Sequence, residues 1–223
     1  MKRSYHRQIY SGIRDVSLSF LILIGLAASP PAVAAGTPGA NAEEVPAGQT
    51  ADDTATGHYR AGLEAKSRAL GLETAAHAAS DASEQARLSS EAQAAWQEAV
   101  TAFGRALKLR LDHYEAANEL GYSLRRSGDY QKALGAYNFA LTIKPDFYPA
   151  VEYRGEAYLA LGRIEEAKAA YLTLFRAAPD LAAQLLEVMA ERAVEADFSA
   201  WVSERQALAA VTPGAEAAGE SSW

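Results

Sequence analysis

The residue types that most often do chemistry are present in this sequence but are not gathered. His58, His77 and His113 stand far apart and lack the H-x3-H spacing that sets two imidazoles on one helical face for a metal, so they read as surface histidines. Carboxylates come as adjacent pairs, Glu43 with Glu44, Asp52 with Asp53 and Glu165 with Glu166. A general acid and base must face each other across a bond, whereas neighbours in a charged stretch read as solvated charge. No G-x-S-x-G, Walker loop or dinucleotide fingerprint occurs, and there is no cysteine for thiol, disulfide or lipid-anchor chemistry. The expectation is no catalytic residue, no metal site and no cofactor.

What the sequence does carry is one pattern written twice. Gly121, Gly128, Ala133, Tyr137, Pro145 and Asp146 recur 34 residues later as Gly155, Gly162, Ala167, Tyr171, Pro179 and Asp180. A period of this length marks a solenoid, one of whose units cannot bury its own apolar face. Gly128 and Gly162 fall where a helix must end and the chain turn back, a place for the left-handed conformation. Pro145 and Pro179 stop the second helix of each unit, since proline has no N–H and disfavours helix in the residue before it. Gly121 and Gly155 lie inside a helix, where glycine costs about 0.5–1 kcal/mol against alanine, and they predict close approach of the paired helices. Asp112, Asp146 and Asp180 share the 34-residue register, and each precedes an apolar-periodic run as an expected N-cap. Asp129 is expected to cap the second helix of its repeat, where Arg163 at the matching place cannot.

These residues resemble the tetratricopeptide repeat, with its pattern W-x2-L-G-x2-Y followed by alanine, an aromatic, alanine and proline. One unit supplies Ala117, Leu120, Gly121, Leu124, Ala133, Tyr137, Ala140 and Pro145, the next Val151, Arg154, Gly155, Tyr158, Ala167, Tyr171, Leu174 and Pro179. Arg154 and Leu174 depart from the pattern and neither unit has the tryptophan. Ala99, Phe103 and Ala106 match the second half of a divergent earlier unit. The resemblance implies a helical-hairpin solenoid whose first helices line a concave groove that binds protein or peptide. Carried over by position, the groove residues are Asn118, Tyr122, Arg125, Glu152, Tyr153 and Glu156. Tyrosines among amide, guanidinium and carboxylate groups suit an extended peptide with basic or polar groups. Some family members hold a terminal carboxylate between lysines and asparagines, but here those positions supply only Asn118, with Glu119 and Tyr122 beside it.

The flanks follow from composition. Alanine is abundant from Ala61 to Ala210 and no strand-like alternation occurs, so the fold class is all-α. About three hairpins are expected: a divergent one over 58–111, repeats over 112–145 and 146–179, and a cap over 180–208 broken near Asp197. The first should be a long antiparallel pair, with Tyr59, Leu63, Leu70, Leu72 and Ala76 facing Trp96, Val100, Phe103 and Leu107. Asp81 or Ser83 is the expected cap of its second helix. Phe198, Trp201 and Val202 read as cover for the open solenoid end, with partner docking as the alternative. Residues 209–223 read as a disordered tail.

Ahead of the domain, Gly36–Gly57 is rich in Gly, Pro and acidic residues and reads as a flexible linker. Residues 1–35 read as a bacterial export signal: Lys2, Arg3, Arg7 and Arg14 lead a short apolar core from Val16 to Ala28, and Ala32 and Ala34 suit cleavage after Ala34 or Ala35. The alternative is an uncleaved membrane anchor, for which an apolar core of about 13 residues is short of the roughly 20 a span needs. Without that leader the chain keeps 17 basic against 27 acidic residues, a net charge of −10. That balance disfavours nucleic acid and anionic membrane and favours basic partners. Together these features point to a periplasmic or secreted scaffold, with self-association through the cap and long first hairpin as the alternative role.

Overall fold

A computed structural model describes residues 50–211; residues 1–35, read as an export signal, lie outside them, as do residues 36–49 of the expected linker and 212–223 of the expected tail. The described residues form eight α-helices in chain order: α1 Ala51–Ala78, α2 Ala82–Leu109, α3 Tyr114–Arg126, α4 Tyr130–Ile143, α5 Tyr148–Ala160, α6 Ile164–Ala177, α7 Pro179–Arg192 and α8 Ala196–Val211. They pair as antiparallel hairpins, and each hairpin packs on the next, with α3 also touching α5 and α5 touching α7. This is the helical-repeat solenoid that the 34-residue period demands.

The first hairpin starts earlier than composition suggests. Thr50 and Asp53 form a capping box, the Asp53 N–H donating to Thr50 Oγ1 at 3.1 Å and the Thr50 N–H to Asp53 Oδ2 at 3.4 Å. Residues 51–57, expected as linker, are therefore the first two turns of α1. The buried face of this hairpin also differs from the leucine-based expectation. Ala55, Gly62, Ala69 and Ala76 are buried on α1, and Ala92, Ala99 and Ala106 on α2, while Leu63 is exposed. Each set recurs every seven residues, which keeps one small-residue seam facing the partner helix along its length. Asp81 caps α2, accepting from the Glu84 N–H at 2.9 Å.

The same local chemistry closes both regular units. Gly128 and Gly162 have φ of +89° and +70°. At the first, the Asp129 N–H donates to Leu124 O and the Gly128 N–H to Arg125 O; at the second, Arg163 donates to Tyr158 O and Gly162 to Leu159 O. These are paired Schellman closures, which satisfy the last carbonyls of α3 and α5. Asp129 then caps α4 by accepting from the Lys132 N–H at 3.2 Å, and Arg163 makes no capping bond.

Asp112 and Asp146 do not cap. The N-caps are His113 and Phe147, without side-chain capping bonds. Each aspartate is exposed one residue earlier, in a tight turn closed by His113 N–H to Arg110 O at 3.3 Å and by Phe147 N–H to Lys144 O at 3.1 Å. Asp180 is the second residue of α7, after Pro179 in its first turn, where a carboxylate meets the positive helix end. The three aspartates mark helix starts but act as turn and first-turn residues.

Gly121 shows the close approach expected of it: a Cβ there would stand 2.6 Å from the Tyr137 ring. A Cβ at Gly62 would stand 2.5 Å from Phe103, the same contact one unit earlier. Gly121 and Tyr137 are 16 residues apart and Gly62 and Phe103 are 41. The first hairpin is thus the regular unit with about 25 residues added at its turn, lengthening both helices. At Gly155 the close neighbour is Leu185 of α7, 2.7 Å from an added Cβ, so there the approach seats the following hairpin.

The C-terminal pair α7–α8 covers the last repeat. Leu185, Met189, Phe198 and Val202 are buried in one cluster with Tyr171 and Leu174, and Trp201 meets Tyr171 edge-on with ring centroids 5.4 Å apart. Phe198, Trp201 and Val202 are therefore capping residues. The cap breaks at 193–195, and α8 runs to Val211, into the stretch expected as tail.

Candidate functional site

Spacing alone puts Asn118, Tyr122 and Arg125 on one face of α3 at i, i+4 and i+7, and Glu152 and Glu156 one turn apart on α5 with Tyr153 between them. The Schellman closures and the α3–α5 contact bring these faces together. Arg125 Nη1 donates to Glu156 Oε2 at 2.6 Å. The Arg125 guanidinium lies over Tyr122 and Tyr153, 5.2 and 5.5 Å from their centroids, and the two rings meet edge-on at 5.1 Å. Such contacts suit a planar cation that is less strongly hydrated than an ammonium.

This wall is not a solvated helix face. Asn118, Tyr122, Glu152 and Glu156 are buried, Arg125 is nearly so, and Tyr153 keeps partial exposure. Burial and the adjacent Glu156 carboxylate, with a hydrogen bond between the two, hold the Glu152 carboxyl well above the usual range, against the pull of Arg125. Burial also raises the Tyr137 phenol strongly beneath the cluster, although Arg125 opposes this. The Asn118 Oδ1 is buried and has no hydrogen-bond partner.

The long first hairpin adds groups that sequence reasoning did not place here. Lys66 of α1 reaches over the Tyr122 ring at 4.4 Å and bonds Glu119 Oε2 at 2.6 Å. Glu73 of α1 accepts from Trp96 Nε1 at 2.8 Å and pairs with Arg126 of α3, whose guanidinium lies over the Trp96 ring. Trp96 was read as core, and it is 1% exposed. Its indole N–H was the available signal, because a buried donor requires an acceptor nearby.

The histidines stay apart, and no group of three His, Cys, Asp or Glu side chains that could hold a metal ion occurs among the described residues. His113 departs from the surface reading: it is buried, 4.6 Å from the Tyr59 ring, and burial followed by the Arg110 charge lowers its pKa. It serves as the N-cap residue wedged between α1 and α3.

Comparison with known proteins gives a family match. A model described as tetratricopeptide repeat matches residues 124–191, from the end of α3 through α4, α5 and α6 into α7. No curated protein matches the sequence. Among solved structures, the first TPR of Spaghetti (RPAP3) bound to the HSP90 peptide SRMEEVD is 18% identical, covers 65% of this chain and 98% of its own, and has a TM-score of 0.39. The MamA protein is 22% identical over 65% and 79% of the two chains, with a TM-score of 0.35. Both overall likenesses are loose. The family match and the two hairpins closed alike at a 34-residue register fall on the same stretch, and over residues 124–191 the chain is similar to the tetratricopeptide repeat.

Proposed function

We propose that this chain is a non-catalytic protein-interaction module that takes a peptide or protein segment on the face shared by α3 and α5. The observation that carries this is the Tyr122–Tyr153 ring pair set among Arg125, Glu156, Glu152 and Asn118. Rigid aromatic area beside directional polar groups is what peptide recognition uses. Tyr153, which keeps partial exposure, is the first contact for a partner. Tyr153→Ala is expected to weaken partner capture at least tenfold while helical circular dichroism stays unchanged. Undiminished capture would move the site elsewhere.

The reading includes export, supported by the basic lead, short apolar core and small-residue cleavage site of residues 1–35. N-terminal sequencing of the protein from the periplasmic fraction is expected to begin at Ala35 or Gly36; a retained Met1 would overturn it. The alternative, self-association, draws on Leu63 of the long hairpin and Val194 and Leu208 of the cap, all exposed. Light scattering across a dilution series separates the two, since a strict monomer removes the alternative.

A further inference from the structure

We infer that α8 is exchanged between two copies of this chain: the break at 193–195 straightens, α7 and α8 become one helix, and the α8 of each copy covers the last repeat of the other. The α3–α5 face takes no part in the exchange. The break lacks the residues that enforce the other turns. Turns within and between the regular repeats hold Gly128, Pro145, Gly162 or Pro179, whereas no glycine or proline occurs from Asp180 to Val211. Ala193, where α7 ends, keeps a helical φ of −79° and departs in ψ, at 78°. The Val194 N–H donates to Arg192 O at 3.0 Å, which makes Ala193 the centre of an inverse γ-turn. No residue of the break has a positive φ. A short hinge of helix-compatible residues is the kind that lets a terminal element leave its own copy.

The apolar pattern runs across the break. Val194, Phe198, Trp201, Val202 and Arg205 fall at i, i+4, i+7, i+8 and i+11, one stripe of a continuous helix. In the bent form this stripe is cut: Phe198 and Val202 are buried, while Val194 is 91% exposed. On a straight helix the stripe would stand about 160° round the axis from the α7 stripe of Ala182, Leu185, Leu186 and Met189. One copy therefore cannot both straighten its helix and bury α8, but two copies can. On the second copy α8 meets the surface it leaves on its own, where Tyr171 stands edge-on to Trp201 and Lys168 Nζ lies 5.9 and 5.6 Å from the Phe198 and Trp201 ring centroids. No new complementarity is required. The continuous helix also satisfies backbone N–H and C=O groups that two separate helix ends leave without an intrahelical partner. Against these gains stands the lost freedom of a second copy, which rising concentration offsets.

The test combines light scattering with a cross-link that reports which copy supplies α8. The purified protein, held near millimolar concentration, is expected to contain a dimer. Because the chain has no cysteine, Lys168→Cys in one batch and Arg205→Cys in another supply unique thiols, at positions whose side chains both lie over the Trp201 ring. In the double variant a short bis-maleimide joins the two thiols within one copy. When the single variants are mixed dilute and then concentrated, exchange predicts a cross-linked species holding one copy of each. Val194→Pro bars a helix through the break and should lower the dimer fraction at least tenfold with helical circular dichroism unchanged. Val194→Gly, a milder helix breaker in an exposed turn, should lower it severalfold. A strict monomer at every concentration, a dimer that yields no link between the two single variants, or a dimer that both Val194 variants leave intact would overturn the inference.

Discussion

The 2.6 Å ion pair between Arg125 and Glu156 joins the first helices of the two regular repeats, in a seam where both side chains are at most a tenth exposed. Arg125→Met would leave Glu156 buried without its counter-charge, and loss of one partner of a buried pair costs about 3–5 kcal/mol. Urea unfolding of the variant should show that loss. Replacing both residues, as in Arg125→Met with Glu156→Leu, should recover most of it, because two apolar side chains need no mutual charge.

Glycine substitutions should split by position. Gly121→Ala drives a Cβ into the Tyr137 ring and is expected to cost about 1–3 kcal/mol. Gly104→Ala, inside α2 with nothing within 4 Å of the new Cβ, should stabilise by about 0.5–1 kcal/mol. Gly162→Ala, at φ +70°, should cost about 1–2 kcal/mol. Thermal denaturation of the three single variants checks the order.

Glu152 gives stability a pH dependence of definite sign. Its carboxyl is raised in the folded chain by burial and Glu156, so above the ordinary carboxyl range the native state holds a proton that the unfolded chain has released. Stability therefore falls as pH rises from that range toward the raised value. Urea midpoints between pH 5 and pH 8 should decline more steeply for the wild type than for Glu152→Gln. Equal slopes would remove Glu152 as the cause.

The capping box at Thr50 sets where the folded domain begins. Thr50→Ala removes the acceptor for the Asp53 N–H and should cost about 1 kcal/mol, felt mainly as fraying of the first turns of α1. Hydrogen exchange of the amides of 53–56 should quicken. Unchanged protection there would mean that packing of Ala55, and not the cap, holds the start of the helix.

Features carried by single residues at fixed spacing could be read from the sequence. Gly128, Gly162, Pro145 and Pro179 punctuate the helices because their backbone chemistry acts locally. The glycine at 121 was readable for a related reason, a local cost that only a close neighbour explains. Residues offering two local roles were harder: Asp112 and Asp146 fit an N-cap or the turn before it, and the turn prevails. The alanine seam of α1 and α2 was missed because larger leucines nearby drew the apolar face, whereas the close-packed hairpin selects small residues. That Asn118, Tyr122 and Arg125 share a face of α3 and Glu152 and Glu156 a face of α5 was legible by position, yet their enclosure was not. Their partners are distant in sequence, with Lys66 and Glu119 53 residues apart and Arg125 and Glu156 31 apart.

The central claim is that a partner lies on the α3–α5 face. The most direct measurement is photo-cross-linking in the native cell, with a benzophenone side chain at Tyr153 and, in a second strain, at Phe175, which is exposed on α6. The account predicts a discrete cross-linked protein from position 153 and none from 175. A partner captured from 175 alone would contradict it.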